Sequence, residues 1–452
     1  MDLSQTLGGP IPADCDRLPL APIERFLLRN DQPAHPMVFR VLLRFDGPLQ
    51  EDCLTKAFGL AISRQPLLTS IVQGTGQQAV WQRCKQLPQL LWQPAGRTAD
   101  EVVQTPIESM SLAEAPGIRC RIWPVADESG KGIVILLEIH HACSDGQGAR
   151  QLIAEWFGLY QQLIQNEMLQ LPALTYAQLQ DRAHYRTPTP PIGTWEGLRN
   201  LYLTVRGRTA RLPEQFPQSP RPDFIHEHVY SVEETAGLRQ NLKHRSLSIN
   251  DVGLATAFSS FQHCFPHVTR KGYITVMHPV DLRWPSDLRT PACNRVGVSF
   301  LRLKQRDCLD ESQLLHRIRN EMQYIKRRYV GAEFLRGLAA AEKLPGGIDR
   351  IQGWGWFVPS LQFTCLGDTT RALYYRFNQV EGVINFGGLK LHRISGFMQL
   401  GPFLPISVAA CETNQKLSLT ARISSRHLTH QDAQEFFSTY VNRFSATGGI
   451  QS

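Results

Sequence analysis

The chain lacks most of the short signatures that would settle a function class at once. Its ten cysteines (Cys15, Cys53, Cys84, Cys120, Cys143, Cys264, Cys293, Cys308, Cys365 and Cys411) include no Cys-x-x-Cys pair. Neither a zinc ribbon nor a dithiol redox site is therefore expected. There is no His-Glu-x-x-His, and Ser144 in "ACSDG" does not sit in Gly-x-Ser-x-Gly, so no metal and no hydrolase elbow is expected. No apolar run approaches the roughly 18 residues of a transmembrane segment. The opening "MDLSQTLGGPIPADC" has no charged-then-apolar leader pattern. No basic block is interleaved with aromatics, so nucleic acid is not an expected partner. These absences lead to the expectation of a cytoplasmic protein in a reducing compartment.

What is present is ordinary globular material. Of 452 residues, 42% are apolar and 19% charged, which disfavours disorder and supports two domains. The net charge of +8 suits an anionic ligand such as coenzyme A, an acidic carrier protein, or peripheral contact with a membrane surface. The basic stretch "IKRRYV", Ile325 to Val330, reads as a solvated helix face.

Strand and helix signals alternate. "PMVFRVLLRF" reads as a strand, Glu51 to Ser63 as an amphipathic helix, and "LLTSIVQ" and "AVWQRC" as a strand pair. "GIVILLEIH" is a continuous apolar run, as in a central strand buried on both faces. A helix with Trp156, Phe157 and Tyr160 on one stripe follows Gly146, capped by Ser144 or Asp145. "RTPTPPIGTW" and "RLPEQFPQSPRPDF" are poor material for either element and mark a connection. In the second half, "SLSINDVGLATAF" predicts a helix starting at Asn250 or Asp251, and Thr429 with Asp432 predicts a capping box. The division is 1–185, a Pro-rich connection 186–223, and 224–452, with an α/β build throughout.

The least packing-like stretch is "IHHACSDGQGAR". Two histidines, His140 and His141, end the apolar strand, and Asp145 and Gly146 precede the helix. Imidazole takes a proton near neutral pH, and a strand end holds it on rigid scaffold. Glycine after the aspartate suggests a sharp turn or a close backbone approach. A strand-end histidine is also commonly a hydrogen-bonded structural residue, and an aspartate there is commonly an N-cap.

"HHACSDG" resembles the H-H-x-x-x-D-G signature of the chloramphenicol-acetyltransferase-like superfamily. That superfamily includes peptide-forming condensation domains, polyketide-associated acyltransferases, wax-ester synthases and plant BAHD enzymes. "RLPLAPIERFLL", "LTKAFGLAISRQPLL", "SINDVGLATAF", "HPVDLR", "CNRVG" and "FTCLGD" resemble further segments of it in the same order. The style is closest to free-standing polyketide-associated acyltransferases and condensation-like enzymes. The plant branch is disfavoured. "QGWGW", Gln352 to Trp356, lacks that branch's aspartate and precedes "FTCLGD", where the plant motif follows it.

The resemblance implies two chloramphenicol-acetyltransferase-like subdomains, each a mixed sheet flanked by helices, forming a V with a central tunnel. It implies an acyltransferase with no bound cofactor. The substrate is an acyl thioester, acyl-CoA or a phosphopantetheinyl acyl-carrier protein, and the acceptor a hydroxyl or an amine. His141 is the implied general base and His140 its support. Asp145 is implied to pair with Arg283, Gly146 to serve the turn, and Thr364 to donate to the oxyanion. Cys365 stands where that segment usually has asparagine. Lys326, Arg327 and Arg328 are candidates to meet donor phosphates. Two other readings stand beside this one: a carrier-dependent condensation enzyme forming an amide in trans, and a catalytically idle binding member of the same fold.

Overall fold

The apolar run before the histidines forms the strand Gly130–His140, which lies inside a seven-stranded sheet. The computed structural model describes residues 11–450 except 128–129, 186–194, 196, 199–201, 203–206, 217–221, 271, 348–357, 375–376, 378 and 381. Gln352–Trp356 and much of the Pro-rich connection therefore lie outside the described residues. The strand pairs antiparallel with Val38–Asp46 on one side, Val38 opposite His140. On the other side it pairs with Ile118–Asp127, Ile118 opposite Ile139.

Alternate side chains leave opposite faces of a strand, and both faces here are covered. Ile135, Leu137 and Ile139 join Leu54, Phe58, Trp156 and Phe157 from the helices Glu51–Ser63 and Gly146–Ile164. Val134 and Leu136 face the other way and pack with Leu42, Val102 and Trp123. This double burial is why the run has no polar residue between Ile133 and Leu137.

The seven strands run in the order Gln379–Val380, Val383–Phe386, Leu389–Phe397, Val38–Asp46, Gly130–His140, Ile118–Asp127 and Leu90–Trp92. Three of them come from beyond residue 378, so the sequence division needs correction. Part of 224–452 returns to the N-terminal sheet, where Ile394 pairs with Leu43. A hydrogen-bonding strand edge accepts any extended segment that folding brings to it, and sequence order does not decide which. The strand pair expected after Leu67 forms as Ser70–Gln73 and Val80–Arg83 in a small three-stranded sheet with Arg17–Pro19.

The second large sheet has six strands, ordered Val296–Leu303, Ile274–Asp281, Leu361–Asp368, Ile406–Thr413, Lys416–Ile423 and Phe224–Val229. Its core gathers Phe258, Phe363, Val408, Phe436 and Tyr440, with the helices Ile249–Cys264 and His430–Gly448 packed against it. The first of these starts earlier than the sequence suggests. Its N-cap is Ser248, whose hydroxyl accepts from the Asp251 N–H while the Asp251 carboxylate accepts from the Ser248 N–H. That reciprocal pairing satisfies two otherwise orphaned donors. Thr429 and Asp432 cap the last helix in the same way. Among the described residues no helix is long and apolar enough to cross a membrane.

Leu136→Ala removes buried methyl groups from the doubly covered strand. It should lower the unfolding free energy by about 2–5 kcal/mol, measured by urea denaturation. A cost well under 1 kcal/mol would contradict the packing described.

Candidate active site

Both histidines are positioned by the end of the strand Gly130–His140. The His140 N–H donates to the Gly117 carbonyl at 2.8 Å and the His141 N–H to the Met37 carbonyl at 2.7 Å. The chain then turns tightly, with the Cys143 N–H on the His140 carbonyl at 2.9 Å, and enters the helix Gly146–Ile164 at Asp145.

His140 is fully buried. Its Nδ1 accepts from the Ala142 N–H at 3.1 Å, so the ring proton belongs on Nε2. Nε2 faces Asp31 Oδ2 at 3.4 Å, close but without hydrogen-bond alignment. Burial acts upward on the Asp31 carboxyl. His140 and the Met37 N–H, which donates to it at 2.8 Å, outweigh burial and hold it below the usual range.

His141 lines a cavity of about 260 Å³ between residues of the two halves. Its ring stands edge-on to Phe39, with centroids 5.2 Å apart, and its Nδ1 is enclosed without a hydrogen-bond partner. Burial pushes its pKa below the ordinary 6.5. Its own carbonyl and Asp145 pull the other way without cancelling that. The neutral imidazole is therefore the form present near pH 7.

Asp145 turns from the cavity into the junction between the halves. It caps its helix, with Oδ1 accepting from Gln147 N–H at 3.1 Å and Gly148 N–H at 3.0 Å. Arg283 binds it with two bonds, Nη1 to Oδ2 at 2.8 Å and Nη2 to Oδ1 at 2.9 Å. The Arg295 N–H adds a bond to Oδ2 at 2.8 Å. Burial of the carboxylate acts upward, and these partners reverse it and keep Asp145 ionised. Arg283 is raised in turn: its burial acts downward, and the Asp145 charge outweighs it.

Asn294 is a site residue that the sequence reading misses, although it lies within "CNRVG". Its Nδ2 donates to the carbonyls of His141 at 2.6 Å and Ala142 at 3.1 Å. The segment 283–295 thus holds the histidine turn by one side chain and its aspartate by another.

The structure bears on three further expectations, and the one for Gly146 needs correction. Gly146 has no positive φ, and a Cβ there would meet only Leu366 Cδ2 at an ordinary 3.5 Å. The turn does not require glycine at that position. Gly148 is the constrained one: its Cβ would fall 2.1 Å from Ser144 Oγ and 3.2 Å from Ala292 Cα, where the second half packs on the helix. Thr364 is buried on the strand Leu361–Asp368 and is not among the residues lining the cavity with His141. Gln362, two residues earlier on the same face of that strand, does line it. Lys326, Arg327 and Arg328 form the last turn of the helix Glu311–Arg328 and do not line the cavity.

A histidine held at the junction of two mixed α/β sheets defines a two-subdomain protein with its site between the halves. The condensation-domain family model matches residues 16–340, and the chain belongs to that family. A plipastatin synthase polypeptide of Bacillus subtilis (strain 168) is 31% identical over 122 residues. That match covers 26% of this chain and only 3% of the relative's length. TRI3 trichothecene 15-O-acetyltransferase from Fusarium sporotrichioides superposes with a TM-score of 0.71 over 95% of each chain, at 13% identity. The starter condensation domain of rhizomide synthetase, a mutant solved with C8-CoA and Leu-SNAC, gives 0.67 over 96% of this chain and 95% of its own, at 12% identity. At such identities the two structures establish the shared fold.

Gly148→Ala should destabilise the protein by about 1–3 kcal/mol, and Gly146→Ala by less than about 1 kcal/mol. Urea unfolding of the two variants side by side checks the contrast. Asp145→Ala leaves Arg283 buried without its anion and should cost about 3–5 kcal/mol. Equal stability of that variant and the parent would remove the junction role assigned to the pair.

Proposed function

We propose that the protein is an acyltransferase that moves an acyl group from a thioester to a hydroxyl, with His141 as general base. The observation that carries this is His141 itself. Among the described residues lining the cavity, it is the one side chain suited to take up a proton near neutral pH, and it is held neutral.

Nδ1 is enclosed, which leaves Nε2 to address the cavity. Nε2 takes the proton of the acceptor hydroxyl as its oxygen attacks the thioester carbonyl carbon. The tetrahedral intermediate collapses, the C–S bond breaks, and the thiolate recovers the proton from His141. The products are an ester and a free thiol, with no covalent enzyme intermediate. Asn294 and the Asp145–Arg283 pair act through the backbone, holding the turn that carries the ring. The O-acetyltransferase and the C8-CoA complex among the structural neighbours support a hydroxyl acceptor and a coenzyme A thioester donor.

A second reading, amide formation in trans between carrier-bound substrates, is favoured by family membership and by the match to plipastatin synthase. Incubation of the purified protein with acyl-CoA and an alcohol, without any carrier protein, separates the two. Ester formation followed by mass spectrometry supports the first, and strict dependence on a carrier supports the second.

His141→Ala should lower turnover by about 10²-fold or more. An unchanged rate in a folded variant would remove the base assignment and favour an idle binding member. A base works deprotonated, and burial lowers the pKa of His141, so activity should persist below pH 6.5 and fall only on further acidification. A kcat/KM profile whose acid limb lies above pH 6.5 would contradict a neutral imidazole at this position.

A further inference from the structure

A second cluster of charged groups lies apart from the Asp145–Arg283 pair, around two buried histidines. His35 ends a tight turn begun by Gln32. The His35 N–H donates to the Gln32 carbonyl at 2.8 Å and the Gln32 N–H to the His35 carbonyl at 3.4 Å. The buried His35 ring reaches the second half, where the ring of buried His427 stands 6.5 Å away between centroids. His427 lies just beyond the strand Lys416–Ile423, with its Nδ1 3.1 Å from Ser424 Oγ.

Among the described residues, the charged groups facing this pair are Glu214, Asp223, Arg422 and Arg426. Each carboxylate is already taken by an arginine. Arg426 Nε donates to Glu214 Oε1 at 2.6 Å, and Arg422 Nε to Asp223 Oδ2 at 2.8 Å. Two anions and two cations cancel, so the cluster is neutral while both imidazoles are neutral. His35 Nε2 lies 3.7 Å from Glu214 Oε1, beyond hydrogen-bond length. A proton on either ring adds a buried charge with no free anion to receive it, which is costly. Burial accordingly holds both imidazoles below the ordinary 6.5. Arg426 adds to this at both rings, and Glu214 and Asp223 oppose it without prevailing.

The pair ties together two turns that line the cavity. Gln32 and Met37 line it from the His35 segment, and Gly401 to Leu404 from the other side. The second turn is held by the loop that carries His427, where the Ser424 N–H donates to the Pro405 carbonyl at 2.8 Å. Phe403 lines the cavity and is half-exposed, so the cavity reaches the surface at this turn. The His35 segment also holds both site histidines. Asp31 faces His140, and the Met37 carbonyl accepts the His141 N–H.

We propose that His35 and His427 form an acid-released clasp across the rim of the cavity. While both rings are neutral they pack the His35 turn against the loop 424–427 and keep the two turns together. Protonation sets like charges against each other and against Arg422 and Arg426, and the cluster opens so that water reaches the rings. The His35 turn then parts from the second half, which widens the cavity at Phe403 and slackens the Met37 hold on the His141 backbone. The sign follows from burial: the contribution of the clasp is fully present above pH 6.5 and is lost as pH falls through the lower folded-state value. The clasp stands independently of the acyl-transfer reading.

Hydrogen exchange of the full chain, followed by mass spectrometry near pH 7.5 and near pH 5.5 and corrected for the intrinsic pH dependence, reads the rim directly. Peptides covering 31–37 and 401–405 should exchange about tenfold or more faster at the lower pH, while the buried strand Lys416–Ile423 stays protected. His35→Gln and His427→Gln each remove a titrating ring and should shrink this response, and the double variant should abolish it. Arg426→Gln should also weaken it, because Glu214 is then free to receive a charged ring. The Arg426 side chain is 22% exposed, so that variant carries the test even where the histidine variants fail to fold. His141 is intact in all of them, so its own titration cannot produce the difference. The proposal is overturned if the two peptides show no faster exchange in the parent, or if Lys416–Ile423 opens with them to the same extent. It is equally overturned if the double variant or Arg426→Gln keeps the full response of the parent.

Discussion

One buried carboxylate organises the junction of this molecule. Asp145 receives two backbone N–H groups from its own helix, two bonds from Arg283 and one from the Arg295 backbone. Burying a charge is costly unless it is paired and fully hydrogen-bonded, and this one is. Such a pair contributes little net stability compared with an apolar replacement, and its value here is geometric. It fixes where residues 283–295 meet the histidine turn. Asn294 then grips the carbonyls of His141 and Ala142, and Gly148 gives Ala292 room to approach. Without that anchoring, the ring of His141 would have no fixed address on the cavity wall.

The same arrangement sets the electrostatics of His141. An aspartate facing the imidazole directly would favour its protonated form. Asp145 faces Arg283 instead, so its pull on His141 is outweighed by burial. His140 has a different environment one residue away. Its Nδ1 is occupied by the Ala142 N–H and its Nε2 looks toward Asp31, in the interior. Two adjacent histidines thus divide into one that holds the turn and one that meets the cavity.

Much of this is legible in the primary structure. The buried strand before the histidines, the helix after Asp145 and the Thr429 capping box all follow from local patterns. The juxtaposition of Asp145 and Arg283 is suggested only by family resemblance, since 138 residues separate them. Gly148 is easily passed over beside Gly146 because its constraint comes from Ser144 and Ala292, and no glycine pattern encodes a neighbour's position. Motif position favours Thr364 over Gln362, although both share one strand face and only the cavity's outline separates them.

The sequence alone determined the element types, the strand end that presents the histidines and the chemistry available there. These depend on residues within a few positions of one another, through periodicity, capping and side-chain pKa. Tertiary structure decided the return of 379–397 to the N-terminal sheet, the grip of 283–295 on the turn, and the placement of His141 and Gln362 on one cavity. Those outcomes depend on which strand edges and side chains packing brings together across hundreds of residues. That choice is made by the whole core and is not written in any short segment.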